Sequence, residues 1–271
     1  MLLNENYTNQ ENHIIGLSIK ERSHRLAHIK DKNSDIYKIT VEPLKFLDVF
    51  LKKEENNWLT IGDYNGVEAN YLLQRNQKAT ASDISDALLK EAYKDNLITD
   101  YSKQNAEHLS FDDDTFDYVM CKETYHHFPR PYMAMYEMIR VCKKAIIVIG
   151  EPIDILSKMA LLVFIKNILD KIDPVLINSL WKNRFSFEEV GNYVYKVSER
   201  EIEKLAVGMG LPLVGFKSHN INTGQLYNLL SKLRMIPKSA LTFVIFKRKP
   251  SPQLVREMRR DNFKILDLPG K

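Results

Sequence analysis

The stretch from residue 58 to 128 constrains this chain most. It holds three short apolar runs, and each ends in small, acidic or turn-forming residues. Such runs predict parallel strands buried on both faces, with ligand-meeting loops at their polar ends. The first run is Trp58-Leu59-Thr60-Ile61, closed by Gly62-Asp63-Tyr64-Asn65-Gly66. Glycine permits a sharp turn and a close approach of ligand to backbone. Val67 to Leu73 then reads as a helix whose first amides face that ligand. The second run, Lys78 to Ser82, ends in Asp83. An acid about 20 residues after the loop is where nucleoside-binding α/β domains hold ribose hydroxyls. A carboxylate accepts two hydroxyl hydrogen bonds at once, which neutral side chains do not match.

The third block makes the reading specific. It runs Asn105-Ala106-Glu107-His108-Leu109-Ser110-Phe111, then Asp114-Thr115-Phe116-Asp117-Tyr118-Val119, then His126-His127-Phe128-Pro129. Together with the two earlier runs and Glu137 to Val141, it resembles the class I S-adenosylmethionine-dependent methyltransferases over roughly residues 55 to 150. The resemblance implies a Rossmann-like α/β fold and S-adenosyl-L-methionine as cofactor. It implies that Gly62, Asp63, Asn65 and Gly66 form the cofactor loop, and that Asp83 and Ile84 meet ribose and adenine. Asn105, Ala106 and Glu107 would flank adenine, and the Lys122 carbonyl would meet the cofactor's amino group. Two departures stand out. Thr60 occupies the place of the family's usual acid, and Tyr64 that of its middle glycine. A ring is thus expected where the cofactor's methionine part approaches the backbone.

The rest of the chain is consistent with one doubly wound α/β domain. At 271 residues and 44% apolar content, a sizeable core needs no disulfide or metal. Cys121 and Cys142 fall inside predicted core elements and read as reduced and structural. No cysteine–histidine cluster has zinc spacing, so no metal is expected. The net charge of +4 is spread along the chain without an aromatic-interleaved basic stripe, so no nucleic-acid partner is expected. No signal-peptide pattern and no apolar run of membrane-spanning length is present, so a cytoplasmic location is expected.

In chain order, residues 1–40 read as an N-terminal helical lid segment, in which His24, Arg25 or His28 could reach the site. Residues 41–249 read as the methyltransferase domain. Within it, Val41 to Lys53 is predicted as a helix packed before the first strand. A strand near Ile98 to Lys103, with Ala145 to Ile149, Leu213 to Lys217 and Leu241 to Lys247, completes a seven-stranded, mostly parallel sheet. Ser198 and Glu201 make a capping box. A helical insertion, residues 153–187, follows strand five and carries Ile155, Leu162, Ile165 and Ile168. It reads either as an extra helical layer or homodimer contact, or as a lid meeting an apolar substrate at a membrane surface. Residues 250–271 read as a basic C-terminal tail that forms a surface helix.

The chemistry expected is methyl transfer to a hydroxyl or amine of a small molecule or glycan. A hydroxyl acceptor makes a base useful, and histidine suits that role. His126 and His127 stand just after strand four. On an extended segment they would point opposite ways, so one of them faces the cleft. Glu123 is a further candidate, for orienting an amine or hydroxyl. The alternatives are a non-catalytic cofactor-binding module, suggested by Thr60 and Tyr64, and a nicotinamide-dependent oxidoreductase, which the third block disfavours.

Overall fold

The computed structural model describes residues 2–51, 54–153, 193–221, 224–233 and 235–269, together with Phe164, Ile165, Ile168, Leu169 and Lys171. Almost all of the expected insertion 153–187 therefore lies outside the described residues, as does the side chain of His28.

Three helices come first: α1 (Leu2–Ile15), α2 (Ile19–Lys30) and α3 (Asp35–Val41). Ser18 and Ser34 start the last two by accepting amide hydrogen bonds, and Glu21 reaches back to complete a capping box at Ser18. The helix predicted over 41–53 does not form. Pro43 has no amide to donate, and the chain tightens into a 3-10 turn over Glu42–Leu47. Leu44, Leu47 and Phe50 are buried all the same.

The strands are β1 (Asn57–Ile61), β2 (Lys78–Asp83), β3 (Tyr101–Lys103), β4 (Phe116–Lys122), β5 (Cys142–Pro152), β6 (Leu213–His219), β7 (Ala240–Phe246) and β8 (Lys264–Asp267). Their order is β3-β2-β1-β4-β5-β7-β6-β8. β1 to β5 pair in parallel, while β7 runs antiparallel to both β5 and β6. The helices between strands are α4 (Val67–Leu73), α5 (Ala87–Lys94), α6 (Pro131–Val141), α7 (Glu199–Gly208), α8 (Gln225–Lys232) and α9 (Pro252–Arg260).

The expectation of seven strands is corrected to eight in a mixed sheet. The eighth comes from residues 250–271: α9 packs back and β8 pairs antiparallel with β6 from Leu213 to Phe216. The sequence there hid a strand because Lys264-Ile265-Leu266-Asp267 is short and half-exposed, too short for a periodicity to register.

Side-chain alternation along the strands divides the core into two layers. Trp58, Tyr118, Met120, Ala145 and Ile147 face the N-terminal helices and α9, with Trp58 stacked on Tyr118 at 4.5 Å. Leu59, Val119, Cys121, Ile146 and Val148 face α6 and α7. After β5 the chain leaves the sheet at Ile153 and returns beside it at Val197, where the two residues form a parallel bridge. The described residues contain no helix long and apolar enough to cross a membrane.

Residues 250–271 thus fill core space. Met258 is fully buried and Phe263 is 4% exposed. Gly215 lies under them: a Cβ there would meet Met258 Cε at 2.9 Å. Deleting residues 250–271 is expected to lower unfolding free energy by at least about 3 kcal/mol, the loss typical of emptying large core positions. Urea denaturation of the truncated chain checks this; an unchanged midpoint would mean the segment is dispensable.

Candidate functional site

The carboxyl ends of β1, β2 and β4 open into a cleft, as the topology of such sheets requires. Its lining comes from Ile61 and Gly62 after β1, Ser82, Asp83 and Ile84 after β2, and Gln104 and Ala106 after β3. Thr124, His127, Phe128 and Pro129 after β4, and Tyr7 of α1, close the far side. Of the residues expected at the cofactor, Gly62, Asp83, Ile84 and Ala106 line this cleft, and so does His127.

Gly62 requires its lack of a side chain twice over. Its φ is +71°, and a Cβ would meet Thr124 Cγ2 at 2.2 Å. Asp83 is 8% exposed, and its Oδ1 accepts from the Ser85 amide at 2.9 Å. Burial pushes its carboxyl up to about 7, against a lowering by the Ser85 amide. Such a group titrates near neutrality and gains from any hydroxyl donor delivered into the cleft.

Asp63, Asn65 and Gly66 stand elsewhere. The Asp63 carboxylate accepts from Thr60 Oγ1 at 2.8 Å, from the Ala69 amide at 2.9 Å and from the Glu68 amide at 3.3 Å. It caps α4 and is 1% exposed. Thr60 fits beside this acid because its hydroxyl donates to Asp63, which an ionised carboxylate at 60 could not do. Asn65 makes a local turn, its Oδ1 accepting from the Val67 amide. Gly66 packs on Ile98, with φ +81°. Tyr64 does not line the cleft but a neighbouring cavity, shared with Arg25, Asn65, Glu68, Lys122 and Glu123. The Arg25 guanidinium stands 5.5 Å from the Tyr64 ring centroid.

Asn105 and Glu107 are also withdrawn from the cleft. The Asn105 Oδ1 accepts from the Glu107 amide at 2.9 Å, a local turn. Glu107, 3% exposed, receives the Arg130 amide at 2.6 Å and the Arg130 side chain at 2.5 Å. It fixes the chain entering α6. Gln104 takes the wall position instead, braced by Ser102 and Ser110. Lys122 lies between Glu68 at 3.3 Å and Glu123 at 3.1 Å. Burial alone would lower its pKa, but the two carboxylates outweigh burial and raise it. Burial and neighbouring Asp63 in turn raise the Glu68 carboxyl well above its usual range. The Lys122 carbonyl accepts from Thr124 Oγ1 at 2.9 Å.

The histidine pair departs from the extended geometry expected. Tyr125–His127 is a 3-10 turn, and the two rings stand together with centroids 3.8 Å apart. His126 turns from the cleft to Glu151, Nδ1 to Oε2 at 2.7 Å. His127 lines the cleft. Burial, and secondarily His126, push its pKa down to about 3, so it is neutral at physiological pH. That departs from the near-neutral base expected of an unperturbed histidine.

Sequence reading missed Glu151. It is fully buried at the end of β5 and accepts from the amides of Thr124, Tyr125 and His126 at 3.1–3.2 Å. The available signal was an acid closing an all-apolar strand, Ile149-Gly150-Glu151-Pro152. Also missed were Thr124, Gln104 and Tyr7. The Tyr7 hydroxyl is buried, and burial, followed by the nearby Glu107 carboxylate, raises its pKa.

Residues 59–149 match the family model described as a methyltransferase domain. No curated protein matches the chain in sequence. Solved structures do resemble it. A Haloferax volcanii protein, solved in complex with the Trm112 methyltransferase activator, is 13% identical, with 86% of this chain and 98% of that one covered at a TM-score of 0.56. The PH0226 protein from Pyrococcus horikoshii is 17% identical, with coverages of 81% and 94% and a TM-score of 0.53. The 1,6-didemethyltoxoflavin-N1-methyltransferase of Burkholderia thailandensis, solved with bound 1,6-didemethyltoxoflavin and S-adenosylhomocysteine, is 12% identical, with coverages of 84% and 87% and a TM-score of 0.52. At these identities the likeness is one of fold. Residues 59–149 therefore resemble a methyltransferase domain, and the chain has the Rossmann-like α/β fold of those structures.

Glu151→Ala should strand three amides, that of buried Tyr125 among them, and the His126 ring. We expect a loss on the order of 3 kcal/mol in unfolding free energy, with Glu151→Gln, which keeps one acceptor oxygen, losing less. Equilibrium denaturation of both variants measures the difference, and equal midpoints for the two would refute the role assigned to the carboxylate.

Proposed function

We propose that this chain transfers the methyl group of S-adenosyl-L-methionine to a hydroxyl or amine of a small molecule. The observation that carries the reading is Asp83, a buried carboxylate facing a cleft that also holds Gly62, inside the segment that matches a methyltransferase domain. The cofactor is S-adenosylmethionine. When bound, it would supply an electrophilic methyl carbon on a sulfonium.

The chain's own residues fit this group. Asp83 has acceptor capacity beyond its Ser85 bond and suits two ribose hydroxyls. Ile84 and Ala106 offer apolar walls for a flat base, and Gly62 leaves the backbone open. His127 serves as a neutral hydrogen-bonding group at the cleft and orients rather than deprotonates. Glu123 holds φ +49° at the end of β4. A non-glycine residue there is strained, and such strain concentrates at functional positions. Glu123 is the residue we assign to the acceptor side. α1 acts as a lid, with Tyr7 at the cleft wall, and Arg25 of α2 reaches the adjoining cavity. The Burkholderia thailandensis enzyme, whose bound ligand is a small heterocycle, supports a small-molecule acceptor over a macromolecular one. A non-catalytic module is less favoured, because Tyr64 leaves the cleft clear.

The raised Asp83 pKa gives a pH test. Hydroxyl donors favour the ionised carboxylate, so binding must remove the proton that Asp83 holds below about pH 7. Affinity for S-adenosylhomocysteine is therefore expected to rise with pH up to about 7 and then level off. The slope should approach tenfold per unit on the acid side, since one pKa unit is about 1.36 kcal/mol. Asp83→Asn should weaken binding at pH 8 by at least about tenfold and flatten the profile. Calorimetric titration between pH 5.5 and 8.5 reads both, and a wild-type profile without slope would remove Asp83 from the site.

A further inference from the structure

The connection from the end of β6 to the start of β7 carries α8, and it leaves the sheet at the edge that holds the cleft. There β7 pairs antiparallel with β5, Ala240 beside Pro152, and the Ser239 carbonyl accepts from the Ile153 amide at 3.2 Å. Polar contacts hold the base of this connection. The Asn220 side chain donates to Asn228 Oδ1 at 2.7 Å and accepts from the Ser239 amide at 3.3 Å. The Tyr227 hydroxyl donates to the Pro237 carbonyl at 2.9 Å.

What α8 presents outward is the reverse of a helix packed on a core. Its one buried residue is Ser231, and every other residue of the helix is at least partly exposed, so α8 stands proud of the sheet. Leu226, Leu229 and Leu233 recur at helical spacing along one stripe and are 69%, 54% and 61% exposed. Met235, just beyond, is exposed as well. Single exposed apolar side chains are ordinary, but a continuous stripe of them marks an interaction surface. The charge around the stripe is of one sign. Lys232 is exposed and Lys238 half-exposed, and from Lys204 to Arg256 the sequence contains no acid. The neighbouring surface repeats the pattern. Exposed Ile39 of α3 shares a groove with Asn220 and Ile221, whose charged lining is Lys38, Lys45 and Lys217 against Glu42 and Asp261.

We propose that the α8 stripe docks on an anionic lipid surface. The leucines enter the boundary between headgroups and acyl chains, and Lys232 and Lys238 meet the lipid phosphates. An apolar stripe with basic flanks, on a helix that projects from the fold, is what such a boundary takes up. A second copy of the chain is a poorer occupant, because it would bring the same positive charge to the contact. The surface shares no residue with the cleft or with residues 153–187, so docking stands apart from the methyl-transfer reading. Because α8 stands on the cleft's edge of the sheet, docking turns that edge toward the lipid.

The test is sedimentation of the whole chain with vesicles of phosphatidylcholine, alone or with phosphatidylserine at one lipid in three. Wild type should bind the anionic vesicles at least about tenfold more tightly than the neutral ones, and added salt should weaken the binding. Combining Leu226→Ser, Leu229→Ser and Leu233→Ser should lower the affinity for anionic vesicles at least about tenfold. Combining Lys232→Gln and Lys238→Gln should do the same. Leu229→Trp places a reporter in the stripe, and brominated acyl chains should quench its added emission, which reads the contact even if the triple variant does not fold. No binding to anionic vesicles, equal binding to neutral ones, undiminished binding by the folded triple variant, or an unquenched Leu229→Trp would each overturn the proposal. Self-association without vesicle binding, abolished in the triple variant, would assign the stripe to a second copy instead. Polyglutamate bound as tightly as anionic vesicles would assign it to an acidic polypeptide.

Discussion

The Glu151 carboxylate is the interaction on which the working edge of this molecule depends. The strand β4 must stop at Lys122 and yield three residues of tight turn that wall the cleft. A turn in that place buries amides that no strand satisfies, and buried amides need acceptors. One carboxylate on the neighbouring strand answers three of them and holds the His126 ring as well. Because Glu151 is fully buried on a central strand, the turn is as fixed as the sheet. Thr124 and His127 inherit their places from it.

The same economy recurs at the first loop. Asp63 closes the end of β1, caps α4 and takes the Thr60 hydroxyl. The backbone is thereby held in a tight turn with Gly62 at its mouth. The second carboxylate nearby, Glu68, stays protonated more readily than usual because burial and Asp63 both oppose its charge. Lys122 then supplies the local positive charge. Acids crowd this edge, and the fold distributes them among caps, an ion pair and the cleft.

Much of this was legible in the sequence. Alternating apolar runs and turn residues located β1, β2, β4, β5, β6 and β7, because strands buried on both faces leave a continuous apolar signature. The spacing from the glycine loop placed Asp83 at the carboxyl edge of the sheet, where it lines the cleft. What the sequence hid was of two kinds. β8 was too short and too polar to register, and Pro43 turned an apolar helical pattern into a 3-10 turn. At the candidate site the difference lies in side-chain direction. Asp63, Asn105 and Glu107 are all acceptors beside the cleft, yet each turns inward to a backbone amide. Short polar side chains in turns serve their own backbone first, and no motif records which way they face. The histidine pair shows the same limit, since a 3-10 turn places adjacent rings together where an extended strand would separate them.

The arrangement of the sheet has a consequence for how this protein meets its own kind. Its two outermost strands are its two shortest: β3 has three residues and β8 has four. Each also carries a lysine, Lys103 and Lys264. An open sheet edge is a template on which another chain can add a strand, and short, charged edges are poor templates. The long apolar strands β4, β5 and β7 lie in the interior, flanked on both sides. The segment that adds β8 therefore does more than fill core space, since it covers seven-residue β6 with a strand that offers little to copy.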